Sequence, residues 1–325
     1  MEQAVLEYRK RLASTEDPLG FVGPEAIREA MRSDGLDAPH PRTIARILNR
    51  HGAVDHKVRR RFPAPPTGWY LPNVAKRMAD VDAFDVIEDL AIEGKGMVDV
   101  LTTVSLWAPH AQAWPAGVVS ARYITDLLAS HWKGIGLPFY AQFDNDTRFQ
   151  GGHNHPDVVG RVMRMCLSLG VTPVFAPPRE TGFQANIENF NGVWEKKVWH
   201  RFHHENLDAL RTRSSRFISA YVRRQAARSD RIPERRPFPG DWKLDLQKPP
   251  HGKVVYIRRT DEHGRASLLG RSFSIDENWV HRLVRCEVDL DQNKIDVYRL
   301  RRREPEDQPL LATIDYRLPK RRFLE

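Results

Sequence analysis

Three apolar runs of strand length, Val81–Leu90, Val98–Leu106 and Ala111–Ala116, follow one another without an intervening helix, and this constrains the fold more than any other feature of the chain. Beyond them helical and strand patterns alternate: a helix over 119–131, a strand over 139–143, a helix over 156–169, a strand over 171–175 and a helix over 182–199. A sheet that begins in hairpins and continues through helical crossovers is mixed, with helices on its faces, so residues 76–200 are expected to form an α/β domain. At 325 residues the chain has room for two or three modules.

On the N-terminal side, residues 1–60 are expected to be helical. Gly23-Pro24 opens one helix that Gly35 stops, with Ala26, Ile27, Ala30 and Met31 at helical spacing; Pro41 opens a second in which Ile44, Ile47 and Leu48 face inward. Arg42, Thr43, Arg46, Asn49 and Arg50 fall on its outer face. Two short helices about a tight turn, the second basic outside, match a DNA-binding helix-turn-helix; a three-helix module with a solvated basic face shares the pattern. The Arg- and Pro-rich stretch Lys57 to Pro72 predicts a basic linker, assigned to residues 61–75. After the core, residues 201–250 are expected to be a basic helical and then Pro-rich linker. Short β-like runs at Val254–Arg258, Ala266–Leu269, Arg271–Ile275, Leu283–Leu290 and Lys294–Leu300 predict a small DNA-binding β-barrel over 251–325.

Composition narrows the function classes. Hydrophobic residues at 41% and charged residues at 29% exclude wholesale disorder, and no apolar run reaches the ~18 residues of a membrane span. Charges within Met1–Arg11 leave no secretory leader, which predicts a cytoplasmic protein. Cys166 and Cys286 have no Cys or His at zinc spacing and are expected to be reduced packing thiols. The net charge of +9 points to a polyanionic partner, but it is unevenly spread: residues 76–195 carry −5 and residues 196–248 carry +8. An acidic centre between basic flanks suits an enzyme that holds divalent cations against phosphates; an acidic solvated surface gives the same count. The run Phe143-Asp144-Asn145-Asp146-Thr147-Arg148-Phe149 places a carboxylate at the end of an apolar strand, the edge of an open α/β sheet where ligands bind. Asp85 lies in the middle of the first strand and Glu188 on the 182–199 helix, so acids from three elements can converge, but spacing alone does not select them from the 14 acids of the segment.

Three stretches make that selection: Asp144-Asn145-Asp146-Thr147-Arg148-Phe149, then Cys166 through Gly170, Pro173 and Pro177-Pro178, then Gln184-Ala185-Asn186-Ile187-Glu188-Asn189-Phe190-Asn191-Gly192. Together they resemble the catalytic core of the DDE transposases and retroviral-integrase-like recombinases, and more narrowly the bacterial insertion-sequence transposases with an N-terminal helix-turn-helix. The resemblance is strong over 76–200 and holds by layout only at both ends. It implies an RNase-H-like core, which the element order also matches, with Asp85, Asp144 and Glu188 as catalytic carboxylates binding two Mg²⁺ or Mn²⁺. It implies cleavage at element ends and strand transfer into target DNA by a homo-oligomer assembled on double-stranded DNA.

Within the pattern, Asp80 and Asp82 compete with Asp85 for the first position. Alternation puts Ala83, Asp85 and Ile87 on one face and Asp82, Phe84 and Val86 on the other, so only one of Asp82 and Asp85 faces the site; Asp85, between Phe84 and Val86, fits the pattern better. Glu88 and Asp89 are expected to be surface charges. Glu180 has the family's frequent interval of 35 residues after Asp144, but the local motif falls on Glu188, and Glu180 is expected to be a solvated loop carboxylate. Asp146, Ser105 and Ala185 depart from the usual residues, which leaves open a decayed copy. Lys196, Lys197 and Arg201 extend the Glu188 helix and suit phosphate contacts. His153, Asn154 and His155 are expected in a polar loop, His200, His203 and His204 on a basic face, and Trp194 and Trp199 in the core. No phosphate-binding G-x-x-x-x-G-K-[ST] loop and no G-x-S-x-G elbow occurs. Two rivals stay open: a non-catalytic or domesticated DNA-binding relative, and an RNase-H-like nuclease.

Overall fold

A computed structural model describes residues 1–53, 66–94, 96–152, 155–180, 182–320 and 322–323. The N-terminal module is three helices, α1 (Glu2–Ala13), α2 (Pro24–Ser33) and α3 (Pro41–Arg50), around Val5, Ile27, Met31, Ile44, Ile47 and Leu48. Both expected prolines stand at the first helical turn, and His40 Nδ1 caps α3 by accepting from the Arg42 backbone N–H. Gly35 takes a positive φ of 76° where α2 ends, a conformation open to glycine.

After a short α4 (Pro72–Ala75) come β1 (Val81–Ile92), β2 (Gly96–Ser105), β3 (Ala111–Ala116), α5 (Ala121–Ile135), β4 (Tyr140–Phe143), α6 (Thr147–Gln150), α7 (Arg161–Ser168), β5 (Thr172–Phe175) and α8 (Ala185–Trp194), which runs into a π-helical turn, Glu195–Trp199. Next come α9 (Leu207–Ala226), β6 (Lys253–Arg259), β7 (Arg265–Leu268), β8 (Arg271–Ser274), β9 (Leu283–Asp289), β10 (Lys294–Arg299) and β11 (Leu310–Asp315). One mixed sheet has the order β11-β10-β9-β6-β5-β4-β1-β2-β3, with β1, β2 and β3 antiparallel and β1, β4, β5 and β6 parallel. The two faces of β1 separate as alternation requires: Phe84 packs with Trp132 and Phe143 in one core, Ala83 and Ile87 with Ile187, Phe190 and Trp194 in the other.

Several expectations are corrected. No ladder among the described residues closes β11 back onto β6, so the C-terminal strands form no separate barrel. They extend the core sheet, because β6 pairs in parallel with β5 at Val174–Val255 and Phe175–Tyr256; β7 and β8 form a hairpin of their own. The 61–75 linker ends inside the core: residues 54–65 lie outside the described ones, but Trp69, Tyr70, Leu71 and Val74 are buried, and Tyr70 donates from its hydroxyl to Phe183 O at 3.0 Å. The expected 156–169 helix starts only at Arg161. Asp157 has a positive φ of 63°, and a Cβ at Gly160 would lie 2.7 Å from the Gly151 nitrogen, so this stretch is a close chain crossing. The basic helix expected from residue 201 starts only at Leu207, after a break that follows Trp199, and Asn206 accepts from the Ala209 N–H as its N-cap. Cys166 and Cys286 are free and buried, and no helix among the described residues is long and apolar enough to cross a membrane.

Candidate functional site

Strands β1 and β4 run parallel in a register that sets Val81 beside Tyr140, Asp82 beside Ala141 and Ala83 beside Gln142. The ladder ends two residues before Asp85 on β1 and two before Asp144, which stands just past the end of β4, and the two carboxylates lie near enough for the Asp144 charge to act on Asp85. Helix α8 lies over the same face. Its Asn191 donates from Nδ2 to Asp85 Oδ2 at 2.7 Å, while Asn191 Oδ1 accepts from Thr102 Oγ1 at 2.7 Å. The other Asp85 oxygen accepts from the Val86 N–H at 2.9 Å, so the carboxylate is held at both ends. Glu188 lies one turn before Asn191 on the same side of α8. Asp144 Oδ1 accepts from the Asp146 N–H at 3.0 Å, and Asp146 caps α6 by accepting from the Arg148 N–H at 2.7 Å. Arg148 also reaches Glu88 at 2.7 Å.

The electrostatics follow from burial first and from nearby like charge second. Burial pushes the Asp85 carboxyl up to about 6, and the Asp144 and Glu188 carboxylates push it the same way against the Val86 and Asn191 hydrogen bonds. Asp144 is also raised, first by burial; the Asp146 N–H hydrogen bond and the Arg148 charge oppose this, and the Asp146 and Glu88 charges add to it. Asp85 therefore binds its proton more tightly in the folded chain than in the unfolded one. Its favourable contribution is complete below pH ~4 and is lost as pH rises through ~6. Asp85→Asn leaves one of the Val86 and Asn191 donors without its acceptor at any pH, so its stability relative to the parent is expected to be more favourable at pH 8 than at pH 4, by on the order of 1–2 kcal/mol in the metal-free protein; thermal unfolding at the two pH values checks this.

By donor chemistry, three carboxylates fit a hard divalent cation such as Mg²⁺ or Mn²⁺. By geometry they are not closed around one: among the described residues no three His, Cys, Asp or Glu side chains are gathered closely enough to hold a metal ion. Asp85 and Asp144 are half-buried, whereas Glu188 is exposed.

Asp82 is fully buried on the opposite face, with both oxygens occupied by Ser105 Oγ at 2.6 Å, Trp132 Nε1 at 3.0 Å and the Arg235 guanidinium. Asp80 shares Arg235 at 2.8 Å. Glu180 is not solvated as expected: it pairs with Arg259 and, at 3.6 Å, with Arg302, because the extended sheet brings β6 and the chain after β10 against its loop. Glu88 is exposed at a β-bulge, as expected for a surface charge. Two departures from the family pattern have local work, Asp146 as the α6 cap and Ser105 beside Asp82. Sequence reasoning passed over Thr102 as the anchor of Asn191; a threonine in an apolar strand carried no signal.

The proposed DNA contacts divide. Arg42, Thr43, Arg46, Asn49 and Arg50 are all exposed on α3, with Arg50 paired to Glu2. Lys196 is exposed, but Lys197 donates to Gly20 O at 2.5 Å and Arg201 donates to Ser14 O, so these two tie the core to the α1–α2 connection. His204 is buried and stacked on Trp199 rather than on a basic face, since its ring fills the turn where the helix breaks. Trp194 is core, as expected. His153 and Asn154 lie outside the described residues.

No protein-family model matches the chain, and no curated protein matches it. Among solved structures, a chain of the simian T-cell lymphotropic virus intasome in complex with PP2A regulatory subunit B56 gamma is 14% identical, covering 91% of this chain and 95% of that chain, with a TM-score of 0.38. At that TM-score the likeness carries neither fold nor function.

Proposed function

We propose that the chain is a DDE-type polynucleotidyl transferase, a transposase or integrase acting on double-stranded DNA, with Asp85, Asp144 and Glu188 as its carboxylate set. The observation that carries this is the nearness of Asp144, at the end of β4, and Glu188, on α8, to Asp85 on the neighbouring parallel strand, with α8 bonded to Asp85 through Asn191. Support comes also from the strand order β3-β2-β1-β4-β5 with only β2 reversed within β1, β2, β4 and β5, which is the order an RNase-H-like core requires, and from the motif resemblance around Asp144 and Glu188. Asp85, Asp144 and Glu188 would hold Mg²⁺ or Mn²⁺, and two such ions when bound neutralise the attacking and leaving oxygens of an in-line displacement. The chain's own part is preorganisation: Asn191, anchored by Thr102, fixes the direction of Asp85, the turn at Asp146 fixes that of Asp144, and the exposed Glu188 is free to complete the set. Water then cuts the element end, and the freed 3′-hydroxyl attacks target DNA without a covalent protein intermediate.

In this reading α2 and α3 form the helix-turn-helix that recognises element ends, and a homo-oligomer assembled on DNA in the cytoplasm brings two ends to one target. Arg46, exposed on α3 and without a carboxylate partner among the described residues, is a phosphate or base contact. Arg46→Ala is expected to weaken DNA binding and to reduce the slope of log K against log salt by about 1 if it meets a phosphate; a salt titration of binding to a labelled duplex measures this.

The functional test is nicking and strand transfer with labelled element-end DNA and Mg²⁺ or Mn²⁺. Glu188→Gln should be inactive and Glu180→Gln active; the reverse pattern overturns the assignment. The ungathered carboxylates favour a second reading, a DNA-binding protein that does not cut. It predicts DNA binding with no divalent-metal-dependent products and no effect of Asp144→Asn. Hydrolysis without joining would instead indicate a nuclease.

A further inference from the structure

Arg258, in β6, is 6% exposed, yet no carboxylate pairs with it among the described residues. Its guanidinium meets neutral oxygens instead. Nε donates to Ser267 O at 2.8 Å, Nη1 to Ile257 O at 2.8 Å and Ala176 O at 3.3 Å, and Nη2 to Asn145 Oδ1 at 2.8 Å. A buried cation without a counter-ion is costly, and an apolar side chain would fill the space without that cost. What the guanidinium supplies is a donor-only fork aimed at the residue after Asp144. Because Arg258 has no acceptor, the Asn145 amide must present its oxygen to it. The amide nitrogen then faces the end of β5, where it donates to Ala176 O at 2.8 Å. Asn145 is thus bridged between β5 and β6, directly behind the turn in which Asp144 Oδ1 accepts from the Asp146 N–H.

We propose that Arg258 is a positioning residue for the candidate site: from the C-terminal strands it locks Asn145 and so aims the Asp144 carboxylate toward Asp85. The inference rests on Asp144 acting as proposed above and deepens it. It makes the C-terminal strands part of the site's framework, in addition to any contact they make with DNA.

The test compares the full-length parent with Arg258→Met, Arg258→Lys, Asn145→Leu and the Arg258→Met/Asn145→Leu double variant. Two readouts are taken: hydrogen–deuterium exchange, and Mn²⁺-dependent nicking of plasmid DNA. In Arg258→Met, exchange over 144–150 should rise on the order of ten-fold while β1 is unchanged, and turnover should fall ~10–100-fold with the KM for DNA held. The double variant should be no worse than the poorer single one, since both break the same link. Arg258→Lys keeps the charge, loses the fork and should lie between; it also serves if Arg258→Met does not fold. Parent-like exchange over 144–150 in a folded variant, or losses that add in the double variant, would overturn the proposal. A parent as inactive as Asp144→Asn would sink the catalytic reading instead, and exchange alone would then decide whether Arg258 holds Asn145.

Discussion

Arg235→Met should destabilise the chain by about 3–5 kcal/mol at neutral pH, because it leaves two buried carboxylates without their cation. Arg235 comes from the Pro-rich segment that follows α9, and its guanidinium reaches Asp80 Oδ2 at 2.8 Å, Asp82 Oδ1 at 2.6 Å and Ser105 Oγ at 2.8 Å. Burial opposes the ionised form of Asp82, and Arg235 overrides it, so the carboxyl lies below the ordinary range. A depressed carboxylate contributes its stability above the unfolded pKa of ~3.9 and loses it as pH falls through the lower folded value. The deficit of Arg235→Met relative to the parent should therefore be largest near pH 7 and shrink as pH falls through the acid range, where Asp82, no longer held ionised by Arg235, protonates in the variant. Urea unfolding across that range measures it, and adding Asp80→Asn and Asp82→Asn to the variant should recover part of the loss. A deficit that does not change with pH would mean that Arg235 acts through packing rather than charge.

Asp144→Asn should lower metal-dependent DNA cleavage on the order of a thousand-fold, equivalent to about 4 kcal/mol of transition-state stabilisation. The substitution keeps the side-chain shape and an oxygen able to accept from the Asp146 N–H, so the turn should survive. It removes a charge that burial already disfavours, so the thermal midpoint should hold or rise. Loss of activity with an intact fold is the signature of a working carboxylate. Activity within a few-fold of the parent would remove Asp144 from the chemistry.

The core was legible where local pattern and burial agree. Alternation along β1 places Ala83 and Ile87 apart from Phe84, and this separates Asp85 from Asp82. The helix-starting prolines at 24 and 41 were legible for the same reason, being local. What stayed hidden depends on partners far along the chain. Arg235 meets Asp80 and Asp82, and Arg258 meets Asn145, each across more than a hundred residues. In sequence Arg235 stands among many arginines of the basic 196–248 segment, and Arg258 ends a strand-like run beside Arg259, so both look like solvent-facing charge. The strand-like runs after 250 were also legible, but their joining to β5 was not, since a short apolar strand gives no sign of which edge it will pair with. The break before α9 had a visible cue in Asn206 ahead of Leu207, a capping residue that the helical periodicity on either side outweighed.

Diffraction from crystals of the protein soaked in Mn²⁺, read by its anomalous signal, tests the central claim most directly. Manganese seated between Asp85 and Asp144 in the parent, with Glu188 turned toward it, and no such peak in Asp144→Asn, is the predicted result. Manganese bound elsewhere, or a peak that persists when Asp85 and Asp144 are both replaced by Asn, would contradict it.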